Sequence, residues 1–237
     1  MPPAPRRGNA ATSDEVGAMF DRIAGVYDPL NALISGFQEP RWRRRLVSAT
    51  GLRPGMAAVD VATGTGAVAR DLAMRVGPGG SVLGVDISAV MIQRAEAHRR
   101  TPANVRYERG DALALPVADG AFDAATIAFG MRNLPDYTAG FAEMVRAVGS
   151  GGIVACLEIA RPRSLMGRLG RAWFEGIVPR IGQIAGQGDA YRYLVASVRA
   201  YPAPEEIAAI MRSVGLADVG WVPLTFGMVT LHTGRRG

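Results

Sequence analysis

Ala57-Ala-Val-Asp-Val-Ala-Thr-Gly-Thr-Gly-Ala67 leads through a helical segment ending near Arg75, a Gly/Pro turn at Gly77–Gly80 and then Ser81-Val-Leu-Gly-Val-Asp86. An apolar run, a glycine turn, a helix and a second apolar run make one βαβ unit. Gly64 and Gly66 let the backbone approach a ligand at the strand's carboxyl end, where a Cβ would collide. The helix that follows aims its free N–H groups and positive dipole end at the same place. Asp86 closes the second strand, where a carboxylate can accept hydrogen bonds from both hydroxyls of a ribose, with Ile87 beside it. The unit reads as a nucleoside-cofactor site.

Gly64-x-Gly66-x-x-Ala69, with Asp86 twenty residues beyond Gly66, satisfies a loose dinucleotide fingerprint. Asp60 argues against that reading. It ends the first strand just before the glycines, and a pyrophosphate in the turn would meet like-charge repulsion. S-adenosylmethionine carries a carboxylate, an ammonium and a sulfonium, so it can use the helix N-terminus and a nearby carboxylate together. An NAD(P)-binding oxidoreductase stays open beside it, as does a buried Asp60 that only caps the turn.

Outward from this unit, strands and helices alternate, which implies a parallel sheet wound on both faces. Ser88 caps a helix over Ala89–Arg100. Val105–Tyr107 is a third strand, and Asp111-Ala112 follows it, placed to meet an adenine ring. Phe122–Phe129 is the fourth strand, with Ala128 near its end and Gly130-Met131-Arg132-Asn133 beyond it. A helix over Thr138–Val148 leads to a fifth strand, Ile153–Ile159. Glu205–Val214 is a further helix, and two closing strands, near Val219–Val222 and Met228–His232, can pair antiparallel. The expected fold is α/β: a Rossmann-like, seven-stranded, mostly parallel sheet with its last strand antiparallel.

Ahead of the first strand, residues 14–50 are expected to form a helical cap. Val16, Met19, Phe20, Ile23 and Tyr27 repeat at helical spacing, Ser13 or Asp14 caps the start, Pro29 interrupts, and Arg41–Val47 restarts a helix. This cap either covers the bound cofactor as a lid or packs on the sheet. Residues 161–201, with Trp173, Phe174, Tyr191, Tyr193 and Leu194, read as a helical insertion walling the substrate side.

With 237 residues, 49% of them apolar, the chain suffices for one α/β domain spanning 1–237. The formal charge of +6 comes entirely from arginine, with no lysine. The arginines are scattered and lack an interleaved aromatic platform, which argues against nucleic-acid binding. Cys156 is the sole cysteine, so no intrachain disulfide forms, which suits a reducing cytoplasm. Its apolar strand makes it a small buried side chain rather than a nucleophile. No apolar run approaches bilayer-spanning length, and the first ten residues read as a frayed tail without a secretory core. No metal-binding pattern stands out.

Several blocks extend the pattern: Met19-Phe-Asp-Arg-Ile-Ala24 with Tyr27-Asp28-x-x-Asn31 and Trp42; Asp60 through Gly66; Asp123-Ala-Ala-Thr-Ile-Ala-Phe-Gly-Met-Arg-Asn133; Leu157-Glu158; Tyr191-Arg-Tyr-Leu194; and Leu224-Thr-Phe-Gly-Met-Val-Thr-Leu-His232 with Gly234. On these the chain resembles the class I S-adenosylmethionine methyltransferases, and within them the family that C-methylates demethylmenaquinone and the benzoquinol of the ubiquinone pathway. It departs from that family's pattern at Glu39 (usually histidine), at Gly149-Ser150 (usually Lys-Pro) and at Ala160 (usually serine).

The resemblance implies methyl transfer from a sulfonium to a ring carbon of a reduced, prenylated quinol; another small phenolic metabolite is the alternative acceptor. Gly64, Thr65 and Gly66, with Asp60, are then expected at the methionine part, Asp86 and Ile87 at the ribose, Asp111 and Ala112 at the adenine, and Ala128 on the pocket floor. Arg132 is the expected catalytic charge, stabilising a developing oxyanion; a guanidinium does not release its proton near neutral pH and is no base. The alternative for Arg132 is an ion pair with Asp136 or Glu158. Asn133 is expected to hold a ring oxygen, and Tyr27 to position substrate or close over the methionine part. Asp28 and Glu158 are candidate proton acceptors. His98 reads as solvated and His232 as a packing residue. Peripheral membrane contact and a homodimer both fit the sequence.

Overall fold

The computed structural model describes residues 8, 11–160, 162, 176 and 188–237. Trp173 and Phe174 of the expected insertion, and most of the N-terminal tail, lie outside the described residues.

A seven-stranded sheet has the order β3-β2-β1-β4-β5-β7-β6. Its strands are β1 (Ala57–Val61), β2 (Ser81–Asp86), β3 (Val105–Arg109), β4 (Phe122–Ala128), β5 (Val148–Ile159), β6 (Leu216–Leu224) and β7 (Val229–Arg236). β1 through β5 pair in parallel, and β7 runs antiparallel between β5 and β6. The helices are α1 (Ser13–Ile23), α2 (Tyr27–Ile34), α3 (Glu39–Ala49), α4 (Ala67–Val76), α5 (Ala89–Ala97), α6 (Tyr137–Ala147), α7 (Gly188–Ala200) and α8 (Pro204–Ser213).

Alternation along the central strands builds a core on each face. Val59, Val61, Ile127 and Val154 pack against Phe141 and Met144 of α6 and Ile207 and Met211 of α8. On the opposite face Ala58, Ala124, Ala155 and Leu157 meet Leu46 of α3 and Val68, Leu72 and Val76 of α4. The small residues of β1, β4 and β5 let α3 and α4 lie close to the sheet.

Element ends differ from the sequence expectation for local reasons. Thr12, not Ser13 or Asp14, caps α1: its hydroxyl accepts from the Glu15 N–H (3.3 Å) and the Glu15 carboxylate accepts from the Thr12 N–H (2.8 Å). Pro29 does not interrupt. The break falls earlier, at the 3₁₀ turn Ala24–Val26, and Pro29 occupies the first turn of α2, where its missing N–H has no helical partner to lose. Pro40 likewise starts α3 rather than ending a turn. Helix α5 stops at Ala97, because His98 turns extended and the Thr101 hydroxyl takes the Ala95 carbonyl (3.0 Å). The glycines at 149–152 form an irregularity inside β5, between the pairings Phe122–Val148 and Ala124–Ile153.

His232 is a packing residue, as read from the sequence. It is fully buried, its Nε2–H donates to the Pro204 carbonyl (3.0 Å), and its ring stacks on Trp221. Burial lowers its pKa to about 4. Because the folded state favours the neutral ring, this contribution to stability is complete above pH 6.5 and is lost as pH falls towards 4. Comparing urea unfolding of the wild type with His232→Gln from pH 7 to pH 4 should show the wild type losing up to about 3 kcal/mol relative to the variant; parallel profiles would contradict this.

Candidate functional site

β1 has β2 on one side and β4 on the other, so the chain leaves it in opposite directions and a crevice opens at the strands' carboxyl ends. Two strained residues shape it. Ala62 after β1 and Phe129 after β4 both hold left-handed backbone (φ 52° and 57°), a conformation that side chains other than glycine seldom adopt. A Cβ on Gly130 would lie 2.6 Å from that of Ala62, so only glycine lets the two loops pack.

The crevice holds two adjoining cavities. The larger is walled by α1, α2, the start of α3 and the β1 and β4 loops; Asp60, Thr65, Trp42, Arg132, Leu194 and Met228 line it. The smaller is lined by Asp86, Ile87, Asp111, Ala112, Asn133 and Met91, among others. Phe20, Tyr27, Ala62, Gly64, Ala128 and Phe129 border both. Helices α1 and α2 therefore roof the crevice. Hydrogen bonds tie this roof down: the Ser88 hydroxyl and the Val90 N–H (3.4 Å) donate to Asp21, and the Thr65 hydroxyl donates to Asp28 (2.8 Å).

The glycine turn is organised by buried carboxylates. Asp86 accepts from the Gly64 N–H (2.8 Å) and the Ser88 N–H (2.9 Å); burial, the largest influence, still raises its pKa. Asp60 accepts from the hydroxyls of Thr63 (2.6 Å) and Thr126 (2.7 Å). Burial pushes its pKa up to about 7 against those two donors, with the Asp86 charge adding to the rise.

Gly66 lines neither cavity. Its backbone is left-handed (φ 78°), and a Cβ there would come within 2.3 Å of the Tyr107 hydroxyl. The same ring excludes a Cβ at Gly84, at 2.6 Å. Tyrosine packing and the left-handed backbone both require glycine here. At Gly64 a Cβ would meet only Tyr27, at an ordinary 3.9 Å, so its requirement is the φ of 56°.

At the other wall, Arg132 and Glu158 are both buried and paired, with Nη1 to Oε1 at 2.9 Å. Glu158 also accepts from the backbone N–H groups of Arg132 (3.1 Å) and Ile159 (2.8 Å). Arg132 Nη1 donates in addition to the Phe129 carbonyl, while its Nε is buried with no partner. Of the two Arg132 roles weighed from sequence, the ion pair with Glu158 is present, and the side chain also lines the larger cavity. Glu158, occupied by three donors, is in no position to take a proton from a ligand. Asp136 instead caps α6 by accepting from the Ala139 N–H (3.0 Å). Asn133 faces the smaller cavity, away from where a ring oxygen was expected; its Nδ2 reaches the Phe129 carbonyl (3.4 Å) and its Oδ1 is buried and unpartnered. Tyr27 is half-buried, and desolvation of its phenol pushes the pKa up to about 12.

The family model described as "ubiE/COQ5 methyltransferase family" matches residues 9–236. The chain belongs to this family. Among its relatives, a demethylmenaquinone methyltransferase of Thermus thermophilus is 43% identical over 223 residues, covering 92% of this chain and all of that protein. A ubiquinone/menaquinone biosynthesis C-methyltransferase of Geobacter sulfurreducens is 38% identical, covering 94% and 89%. A solved S-adenosylmethionine-dependent methyltransferase of Thermotoga maritima superposes with TM-score 0.66 at 20% identity, over 93% of this chain and 99% of that one. A [4+2]-cyclase superposes with TM-score 0.71 at 18% identity, over 97% and 98%, which speaks to the shared fold alone. The chain is an S-adenosylmethionine-dependent methyltransferase, and the oxidoreductase reading is set aside.

The donor set fits that cofactor. Acidic side chains at the ends of β2 and β3 and the buried Asp60 carboxylate suit hydroxyls, an amine and an ammonium, and among the described residues no arginine lines the smaller cavity to receive phosphates. Sequence reasoning missed Thr63 and Thr126, whose hydroxyls hold Asp60, and the Trp42 Nε1–H bond to Thr225 (2.9 Å), which ties α3 to the β6–β7 connection. Hydroxyls in an apolar strand carry no signal until the register sets Thr126 beside Asp60.

Asp60 should also make cofactor binding pH-dependent. A cationic ammonium near it favours the ionised form, so binding should release a proton below about pH 7. Calorimetry with S-adenosylhomocysteine, in buffers of different ionisation heat, should show affinity rising by up to about tenfold from pH 6 to pH 8, the worth of one pKa unit. Asp60→Asn should flatten that profile.

Proposed function

We propose that this methyltransferase C-methylates a reduced prenyl quinol such as demethylmenaquinol. The observation that carries the reading is the larger cavity: mostly apolar walls, with a buried guanidinium at one side and the glycine turn at the other. The names borne by the relatives support the same acceptor.

S-adenosylmethionine, when bound, supplies an electrophilic methyl on a positive sulfonium. On this reading Asp86 and Ile87 hold its ribose, Asp111 and Ala112 its adenine, and Asp60, Gly64 and Thr65 its methionine part. Ala128 floors the junction between the cavities. Gly66 acts only through the turn, and Asn133, with its free Oδ1 beside Asp111 and Ala112, joins the nucleoside side.

Ring methylation requires electron density at carbon, which ionising the neighbouring hydroxyl provides. Arg132 favours that ionised form as a fixed positive charge in a water-poor wall. Glu158 keeps the guanidinium oriented, so little reorganisation accompanies charge development. Tyr27, between the cavities, positions the ring and separates it from bulk water. Asp28, whose Oδ1 is engaged by Thr65, is the proton acceptor nearest the turn.

A prenylated acceptor resides in lipid, and the cavity's rim suits a bilayer surface. Phe37 (72% exposed) and Phe226 (66% exposed) flank segments that line the cavity, with Leu33 exposed beside them and Arg41, Arg44 and Arg45 exposed on α3. Aromatic side chains beside arginines are suited to the headgroup layer. No helix among the described residues is long and apolar enough to cross a membrane.

Two measurements check these statements. Replacing both charges at once, Arg132→Gln with Glu158→Gln, leaves no buried charge unpaired. That variant should keep its melting temperature and S-adenosylhomocysteine affinity while kcat with a short-chain demethylmenaquinol falls by about 10²–10³; unchanged kcat would refute the role of Arg132. Phe37→Asp with Phe226→Asp should abolish co-flotation with vesicles containing phosphatidylglycerol and leave turnover of a water-soluble, tail-less quinol intact.

A further inference from the structure

We propose that Glu39 is a specificity-determining residue that accepts a hydrogen bond from the second hydroxyl of a 1,4-dihydroxy aromatic acceptor, so that the pocket selects the reduced diol over its quinone and over a monophenol. The inference rests on the acceptor reading above and deepens it.

Among the described residues three acidic side chains line the larger cavity: Asp28, Glu39 and Asp60. Asp60 has both oxygens taken by threonine hydroxyls, and Asp28 is bonded to Thr65 at the glycine turn. Glu39 stands apart from that turn, as the first residue of α3 and three residues before the pocket-lining Trp42. Arg43, one helical turn on, donates to Oε1 (2.6 Å). Among the described residues Oε2 has no hydrogen-bond partner.

An ordinary i,i+4 ion pair would account for Glu39 without any ligand. Against that stands the second arm of Arg43, whose Nε donates to Asp71 of α4 (2.9 Å). Arg43 thus has its own carboxylate on α4, and its fork fixes Glu39 in one rotamer at the cavity wall.

The charges on the cavity walls complete the picture. Arg132 and Glu39 both line the larger cavity. A ring bound there therefore meets one cation and one anion. A 1,4-dihydroxy ring matches this pair: the hydroxyl that ionises lies towards Arg132, and the other, still protonated, donates to Glu39. A quinone has no hydrogen to offer and presents a carbonyl oxygen to a carboxylate. A monophenol leaves Glu39 unsatisfied. A site built around a hydroxyl discriminates strongly against analogues that lack it.

The test is equilibrium binding to the wild type loaded with S-adenosylhomocysteine, under anaerobic conditions, read by tryptophan fluorescence. The probes are 2-prenyl-1,4-naphthoquinol, its 1-O-methyl ether, which keeps the hydroxyl beside the methylated carbon, and the corresponding quinone. The wild type should prefer the diol to the ether by about 10–100-fold, as expected of a hydrogen bond to a charged group. Glu39→Leu should bring the ratio near one, and Glu39→Gln, which keeps an acceptor oxygen, should restore part of it. Both variants should bind S-adenosylhomocysteine as the wild type does. A preference surviving in Glu39→Leu, or absent from the wild type, overturns the role of Glu39 while leaving the quinol reading intact. Failure of the wild type to bind any of the three rings overturns the acceptor reading and this inference together.

Discussion

The site depends on one feature of topology: β1 lies between β2 and β4, and the connections on its two sides leave it in opposite directions. No crossover fills the space at its carboxyl end, so that space becomes a crevice. The Asp60–Thr126 hydrogen bond is the side-chain expression of the same constraint, because it joins β1 to β4 across the point of divergence. The strained Ala62 and Phe129 follow directly from these two strands and turn their loops aside to leave the crevice open. Such backbone costs on the order of 1–3 kcal/mol per residue and persists only where surrounding packing fixes it; the clash a Cβ at Gly130 would make shows how tight that packing is.

Two buried carboxylates in this crevice illustrate how partner chemistry sets behaviour. Glu158 is fully buried but meets a guanidinium and two backbone N–H groups, so its charge is compensated in place. Asp60, equally buried, has neutral hydroxyl and backbone N–H donors, and its pKa rises to about 7. One acid orients Arg132. The other, on the reading proposed above, meets the ammonium of the cofactor.

Much of this was readable from residues alone. The βαβ unit, its glycines and Asp86 announced the crevice, and alternating strands and helices announced the sheet. The sign of each side chain's contribution was harder. Gly66 looks like a ligand-approach glycine in any one-dimensional reading, yet its constraint is Tyr107, on a strand not adjacent to it in sequence. Glu158 offered both a titratable carboxylate and, beside Asp136, a partner for Arg132, and the fold decides for the ion pair. Asn133 follows Arg132 in sequence but, within the 3₁₀ turn Met131–Asn133, faces the other cavity. Element ends missed by a few residues trace to caps and prolines, where one hydrogen bond decides among neighbouring positions.

The roof connects these parts. Phe20 and Tyr27 border both cavities, so the wall of one is also the wall of the other. Any ligand that orders Tyr27 against Gly64 removes conformational freedom that a second ligand would otherwise have to remove, and the second binds more tightly for that reason alone. The Asp28–Thr65 bond puts the glycine turn into the same unit, because Thr65 cannot shift without moving α2. A ligand in either cavity therefore meets Phe20, Tyr27, Gly64 and Ala128, which also wall the other.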